Sequence, residues 1–338
     1  MSIRWNGPIL GCALILACFG LGACSSKEVV VVYSPHGADI LRDYEALFEA
    51  KYPEVDMQPL DMGSQEVYNR VRAEKNRPAC DVWWGAPSTM FMQAAKDGLL
   101  DVYTPAWADK VTPAHKDANG SWLGTHLTPL CIMFNERMYS AETVPQTWDQ
   151  LLDPAWAGKI TMRKPLPSGT MRTFIGAMVL RAPNEEAGFE FLRVLHKSTK
   201  AYMETPQMLF DHLKRNEEMI TVWIMPDAVL QRERHGYPFG YVLPPPTPVF
   251  AEGIAIVKGA PHRAWAEKFL EFVTTPENLA HQANEYGKIP ARTDIDPTTL
   301  PEWMVKQPID EMPIDWEAFA AKEKEWCERW EREVYSGT

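Results

Sequence analysis

The amino-acid sequence predicts an α/β protein with about two domains. The chain has 338 residues, and roughly 100–200 residues per domain is usual for globular proteins. Strand-like and helix-like segments alternate along it, which is the pattern of a doubly wound sheet with helices on both faces. The alternation begins again near residue 129, which indicates a second unit of the same kind.

The elements of the first unit follow from local patterns. Val29 to Val32 form a continuous β-branched run, which is typical of a strand buried on both faces of a parallel sheet. Apolar residues at helical spacing then predict a helix over 38–51. Further along, we predict strands over 55–60 and 81–85, and helices over 64–75 and 89–97.

The rest of the chain has the same kinds of element. We predict strands over 129–134, 159–162, 221–225 and 252–257, and helices over 148–152, 168–180, 185–196, 206–215, 264–273 and 315–334. Residues 243–248 include four prolines and cannot form a regular helix or a central strand. The stiffness of this segment suits a strap between lobes.

The composition narrows the class of protein. Hydrophobic residues make up 46% of the chain and charged residues 23%, which excludes a disordered tail, a small disulfide scaffold and a multi-span membrane protein. The formal net charge is −11, from 34 basic and 45 acidic residues. An acidic chain without a long run of Lys and Arg is not expected to bind nucleic acid. We expect a small-molecule ligand.

Residues 1–23 are predicted to be a signal peptide. Arg4 precedes an apolar run over 9–19, and the motif Leu21-Gly22-Ala23-Cys24 resembles the bacterial lipobox, in which the cysteine is acylated. A membrane span would need ~20 apolar residues, more than this run offers. We therefore expect an exported protein that is anchored through lipidated Cys24 at the periplasmic face of the inner or outer membrane.

The remaining cysteines are Cys80, Cys131 and Cys327, because Cys12 and Cys18 lie in the signal peptide. An odd number does not suit a disulfide framework, so buried free thiols are favoured over a single bridge. The sequence has no CxxC or HExxH motif, and we predict neither a metal site nor a cofactor.

The candidate ligand-binding residues follow predicted strands. In an open α/β sheet, ligands bind beyond the carboxyl ends of the strands, where the next helices present free N–H groups. Four turns are in such positions, and they supply the candidates Ser34, His36, Trp84, Ser88, Ser168, Gly169, Thr170, Arg172 and Asp227.

The turn over 168–172 is the most informative of the four. Ser168 is a good N-cap, Gly169 permits close approach of the backbone, and Arg172 adds a guanidinium in the first turn. Together with the positive end of a helix, these groups form a cradle for phosphate, phosphonate or carboxylate. The alternative is that Ser168 only caps the helix and that Arg172 is solvated.

Three other candidates have alternatives of their own. His36 can donate to an anion, ligate a metal or simply pack. Trp83 and Trp84 are adjacent, so a strand sends them to opposite faces, one into the core and one toward a cleft. Asp227 can cap the next helix or meet a cationic group. The sequence contains no GxSxG nucleophile elbow, and we predict no enzymatic activity.

Several of these segments together resemble the extracellular solute-binding proteins of ABC importers, in the branch that binds ferric iron, phosphonate, sugar phosphate or polyamine. The resemblance is carried by the lipobox, by residues 81–85 and 167–170, by the block Trp148 to Ile160, and by residues 256–262 and 289–292. The block Trp148 to Ile160 is its most specific part.

The resemblance implies a two-lobed, type II-like periplasmic-binding-protein fold with two crossover strands and a central ligand cleft. Lobe 1 would comprise residues 28–126 plus 252–338, and lobe 2 residues 127–251. The connections between the lobes would lie near 125–130 and 248–252. The expected partners are a small-molecule ligand and an ABC-type permease, and the protein is expected to be a monomer.

The ligand implied by this branch is not settled by the resemblance. Its ferric binders hold iron with two adjacent tyrosines after a strand of the second lobe, whereas the corresponding stretch here, Trp223 to Asp227, has none. Iron is therefore disfavoured, and we expect an organic anion that bears phosphate, phosphonate or carboxylate. An apolar, lipid-like ligand or a polyamine in a cleft lined by Trp and Met is the alternative.

Overall fold

The computed structural model describes residues 1–2, 27–215 and 219–336. Most of the predicted signal peptide and the lipidation site Cys24 lie outside the described residues. Within the described ranges, the chain forms ten β-strands and eleven α-helices. None of these helices combines the length and apolar character that are needed to span a membrane.

The strands are β1 (Glu28–Ser34), β2 (Val55–Asp61), β3 (Val82–Pro87), β4 (Leu123–Asn135), β5 (Ile160–Arg163), β6 (Thr199–Met203), β7 (Ile220–Ile224), β8 (Phe239–Val242), β9 (Val249–Ile256) and β10 (Ile289–Pro290). The helices are α1 (Ala38–Lys51), α2 (Ser64–Ala73), α3 (Ser88–Lys96), α4 (Gly169–Leu180), α5 (Glu185–Ser198), α6 (Pro206–Lys214), α7 (Met225–His235), α8 (Arg263–Val273), α9 (Pro276–Tyr286), α10 (Glu302–Lys306) and α11 (Trp316–Trp330).

The strand order defines two parallel units joined by two antiparallel strands. The sheet runs β2-β1-β3-β9-β4-β7-β5-β6, and β8 and β10 also pair with β4. Pairing is parallel among β1, β2 and β3, which form the first lobe, and among β5, β6 and β7, which form the second. The long strands β4 and β9 pair with each other and pass between the lobes. This architecture confirms the predicted two-lobed fold with two crossover strands.

The first lobe has a hydrophobic core on each face of its sheet. Trp84 packs with α1 and α8 on one face, and Trp83 packs with α2 and α3 on the other. The two indoles therefore lie on opposite faces, as expected for adjacent residues of a strand. Both side chains are fully buried, and burial of each large apolar side chain stabilises the fold by about 1.5–3 kcal/mol.

The C-terminal helix packs with the second lobe. Phe319, Trp326 and Trp330 of α11 belong to the same core as Phe174 of α4. The Phe319 ring lies so close to Gly176 that a Cβ atom on this glycine would overlap it. This packing differs from the prediction, which assigned all of residues 252–338 to lobe 1. We propose that the second lobe comprises about 130–248 together with the C-terminal segment from Met312.

The proline-containing segment over 243–248 lies beside this C-terminal segment. The amide of Thr247 donates to the carbonyl of Asp310 at 2.6 Å, and the amide of Met312 donates to the carbonyl of Thr247 at 2.8 Å. The indole of Trp148 donates to the carbonyl of Pro246 at 3.0 Å. The passage to the first lobe is made by β9, which begins directly after this segment.

The described cysteines Cys80, Cys131 and Cys327 are free and buried. Burial raises the pKa of each thiol. Because the thiolate is the reactive form, all three are expected to be chemically inert in the folded protein.

Candidate ligand-binding cleft

A cavity of about 460 Å³ lies between the two lobes. Phe250 and Glu252 of the crossover strand β9 are part of its wall, so the cavity reaches the connection between the lobes. The first lobe contributes the start of α1, Gly63, Ser64, Ala86 and Pro87, and the second contributes Arg163, residues 167–170, Trp223 and Asp227. The volume is within the usual range of about 300–1,000 Å³ for small-molecule sites.

Three helices of the first lobe begin at this cavity without a side-chain cap. Their N-cap residues are Gly37 for α1, Gly63 for α2 and Pro87 for α3, and none of them accepts a hydrogen bond through its side chain. The first N–H groups of a helix have no acceptor within the helix, and the helix dipole adds partial positive charge there. The cavity is therefore suited to a negatively charged group.

The helix α4 brings a fourth N-terminus from the second lobe. The Ser168 hydroxyl accepts a hydrogen bond from the Met171 amide at 3.3 Å, as predicted for an N-cap. At Gly169, an added Cβ atom would lie 2.8 Å from Cδ of Pro87 and 3.3 Å from Cβ of Ser64. The two lobes therefore touch at this glycine, and a side chain here would force them apart.

Arg163 and Lys288 are cationic residues of the cavity wall that sequence reasoning missed. Arg163 ends β5 and is 9% exposed. Its Nη1 donates to the carbonyl of Met203 at 3.3 Å, whereas its buried Nε has no partner. Among the described residues, no carboxylate lies within ion-pair distance of this guanidinium. Burial lowers the pKa of Arg163, and Glu204 only partly offsets that effect. The sequence analysis selected polar residues that directly follow predicted strands. The same criterion would have selected Arg163, because this residue follows the strand predicted over 159–162.

A buried polar network surrounds Glu252. Its carboxylate accepts hydrogen bonds from Nε2 of His36 at 2.8 Å, from the Thr128 hydroxyl at 2.8 Å and from the Lys288 ammonium at 3.2 Å. Burial alone would raise the pKa of Glu252, but Lys288 and His36 outweigh it and hold that pKa well below its usual value. Burial lowers the pKa of His36. A hydrogen bond from His36 to the ionised form of Glu252 requires a proton on Nε2, since a carboxylate only accepts.

The same network contains the one set of described residues that could hold a metal ion. His36, His126 and Glu252 place one ligand atom each within 4.8 Å of one another. The Lys288 ammonium already supplies a positive charge to Glu252, which competes with a cation. Tyr286, the one tyrosine among the described lining residues, donates to Asp43 at 2.9 Å, and burial raises its pKa to about 12. The cavity therefore has no pair of phenolates for a hard ferric ion.

Asp227 lies in the first turn of α7 and lines the cavity. Its Oδ2 accepts a hydrogen bond from the indole of Trp223 at 2.6 Å. Burial raises the pKa of this carboxyl, whereas Lys288 lowers it to a smaller extent. The capping role that the sequence allowed is not observed, because α7 has no side-chain cap hydrogen bond.

Three predicted residues lie beneath the cavity rather than on its wall. The buried Ser34 hydroxyl accepts a hydrogen bond from the His36 amide at 3.2 Å. Trp84 meets the His36 ring edge-on, with 4.7 Å between the ring centroids. Ser88 is the buried first residue of α3. These side chains support the turns that reach the ligand cavity, whereas His36, Ser168, Gly169, Thr170 and Asp227 line it.

Arg172 lies away from the cavity. Its Nε donates to Oε1 of Glu323 on α11 at 2.6 Å, and the two side chains are 14% and 9% exposed. Burial lowers the pKa of Arg172 but Glu323 raises it, and the net shift is upward. The partner is 151 residues further along the chain, so no local pattern identified it. Arg172 borders a separate groove of about 440 Å³ between α2, α3 and α11.

Two α/β lobes that are joined by two crossover strands, with a cavity between them, are typical of a solute-binding protein. Residues 86–316 match the family described as bacterial extracellular solute-binding protein, and the chain belongs to this family. It is thus a solute-binding protein rather than an enzyme.

Two curated relatives resemble most of the chain. A protein of Sinorhizobium fredii named "Probable ABC transporter periplasmic-binding protein y4fP" is 26% identical over 91% of this chain and 87% of its own length. A protein of Salmonella paratyphi A named "Putative 2-aminoethylphosphonate-binding periplasmic protein" is 24% identical over 84% of this chain and 86% of its own length.

Two solved structures illustrate the same fold with different ligands. The periplasmic binding protein AfuA from Actinobacillus pleuropneumoniae, with fructose-6-phosphate bound, is 25% identical, covers 92% of this chain and 99% of its own, and gives a TM-score of 0.79. A ferric binding protein from Campylobacter jejuni is 18% identical, covers 90% of this chain and 98% of its own, and gives a TM-score of 0.78. The latter likeness concerns the fold alone.

Proposed function

We propose that this protein captures a small organic anion, bearing phosphate, phosphonate or carboxylate, between its two lobes and delivers it to an ABC-type permease. The observation that carries the proposal is Arg163, a buried guanidinium at the wall of the cavity that has no carboxylate partner among the described residues. A buried charge without a counterion costs several kcal/mol. A ligand anion removes that cost, and its hydrogen bonds with charged donors each contribute about 1.5–3 kcal/mol.

The uncapped helices support the same proposal independently of Arg163. A bound anion would accept hydrogen bonds from the free N–H groups at the starts of α1, α2 and α3 and so replace the missing side-chain caps. Two of the proteins described above point in the same direction, since 2-aminoethylphosphonate and fructose 6-phosphate, the ligands given for them, both carry a phosphorus oxyanion.

Calorimetric titration of the purified protein with fructose 6-phosphate, 2-aminoethylphosphonate, inorganic phosphate and citrate tests the proposal. We expect at least one of the organic anions to bind with a Kd of about 1 µM or tighter. Arg163→Met should weaken that binding by at least about tenfold, because the loss of a charge-assisted hydrogen bond costs about 1.5–3 kcal/mol. No binding of any anion, or unchanged binding by the variant, would refute the anion site.

We also propose that Cys24 anchors the mature protein to the membrane. The proposal depends on the lipobox motif. In cells that express the full chain, we expect the protein in the membrane fraction and an acylated N-terminal peptide in its mass spectrum. Cys24→Ser should move the protein to the aqueous periplasmic fraction, and wild-type protein found mainly in that fraction would refute lipid anchoring.

A further inference from the structure

The cavity wall holds two ionisable side chains of opposite sign that form no ion pair within the described chain. One is Arg163. The other is Asp227, whose carboxylate accepts one hydrogen bond from Trp223 and, among the described residues, forms no ion pair. The two charges come from different elements, the end of β5 and the first turn of α7.

The other charged groups of the cavity wall have partners. Lys288 is paired with Glu252 at 3.2 Å, so these two charges cancel. Asp39 is paired with Arg42 at 2.6 Å, and its side chain is 41% exposed to solvent. His235 lies 3.9 Å from the same aspartate. Arg163 and Asp227 are therefore the charges that a ligand would have to compensate.

The surroundings of Asp227 fix its orientation. Trp223 is 4% exposed, and its indole N–H holds Oδ2 at 2.6 Å. The other carboxylate oxygen accepts no hydrogen bond within the described chain. Phe210 and Phe250 line the same cavity and lower the local polarity, which strengthens an interaction between charges.

We propose that the natural ligand is a zwitterion, with an ammonium group that binds Asp227 and an anionic group that binds Arg163 and the helix N-termini. The inference rests on the proposed function of the cavity as an anion site. A ligand with only an anionic group would leave Asp227 without a counterion, whereas an ammonium group beside it would favour the ionised carboxylate that burial disfavours. A polyamine would leave Arg163 without a counterion. A zwitterion compensates both charges at once.

Three phosphonates that differ in one group provide the test: 2-aminoethylphosphonate, 2-hydroxyethylphosphonate and ethylphosphonate. We expect wild-type protein to bind the amino compound at least about tenfold more tightly than either of the others. Glucosamine 6-phosphate and glucose 6-phosphate repeat the comparison of ammonium with hydroxyl on a larger framework.

Asp227→Asn keeps the size and a hydrogen-bond acceptor but removes the charge. We expect this variant to lose the preference for the amino compounds while it still binds ethylphosphonate, and that retained binding shows that it is folded. Asp109→Asn, at a side chain that is 67% exposed, removes the same charge from the surface and should leave the preference intact.

The wild-type ranking decides the inference even if a variant misfolds. Equal binding of the amino and hydroxyl compounds, or a preference that persists in Asp227→Asn, would overturn the zwitterion while leaving the anion site in place. If no compound of either series binds, the anion site and the zwitterion both fail.

Discussion

Replacing Arg172 with methionine should destabilise the fold without weakening the binding of ligand. Sequence reasoning placed this residue in the ligand cradle, whereas the structure pairs it with Glu323 on the far side of α4. The two placements predict opposite outcomes for one substitution. The variant Arg172→Met therefore tests the geometry of α4 directly.

The expected magnitude follows from the burial of the pair. Surface ion pairs contribute ~0–1 kcal/mol, but removal of one partner of a buried pair costs about 3–5 kcal/mol, since the other charge remains buried alone. The side chains of Arg172 and Glu323 are 14% and 9% exposed, and they border a groove that water can enter. We therefore expect the lower end, a loss of about 3 kcal/mol in the free energy of unfolding.

Urea unfolding followed by tryptophan fluorescence measures this loss, and titration with an anion that binds the wild-type protein measures the affinity. The double variant Arg172→Met with Glu323→Leu should recover at least half of the stability, because it leaves no unpaired charge. A weakened affinity together with unchanged stability would refute the placement of Arg172 and return it to the ligand site.

Two further predictions concern the contact between the lobes and the buried histidines. Gly169→Ala should weaken anion binding at least about fivefold with no loss of stability. The added Cβ atom would meet Pro87 and Ser64 across the cleft and hold the two lobes apart. An unchanged Kd in calorimetry would contradict this contact. The free energy of unfolding should fall below about pH 6.5, by up to about 1.4 kcal/mol per pH unit for each buried histidine. Burial lowers the pKa of His36 and His126, so the unfolded chain takes up protons that the folded chain does not. Equal urea midpoints at about pH 7.5 and about pH 5.5 would refute this predicted loss of stability.

Most of the fold was predictable because its elements have strong local patterns. The valine run over 29–32 lies in β1, and the helix predicted over 38–51 has the observed bounds of α1. The helix α9 was missed, although Thr275 caps it and Pro276 begins it. The position of α11 could not be predicted from its own sequence, because its apolar side chains would suit either lobe. Only the tertiary structure places Phe319 against α4.

The sequence predicted which turns line the candidate site, but it did not predict which charged side chains are left without an ion pair. Turns that follow parallel strands converge by topology alone, which is why His36 and residues 168–170 line one cavity. The partner of a charged side chain depends on elements that are distant in sequence. Arg172 is paired with Glu323, 151 residues further on, whereas Arg163 has no carboxylate partner among the described residues. Sequence alone could not distinguish these two arginines.

The acidic chain and the proposed anionic group of the ligand are compatible because the relevant interactions act over short distances. The net charge of −11 is spread over the whole chain, and salt screens exposed charges beyond about 8 Å at physiological ionic strength. Within the cavity, Glu252 is neutralised by Lys288, while Arg163 and the uncapped helix N-termini remain free to meet an anion. We therefore expect surface acidity to affect solubility and the rate of encounter, and we propose that Arg163 and Asp227 determine which solute is held.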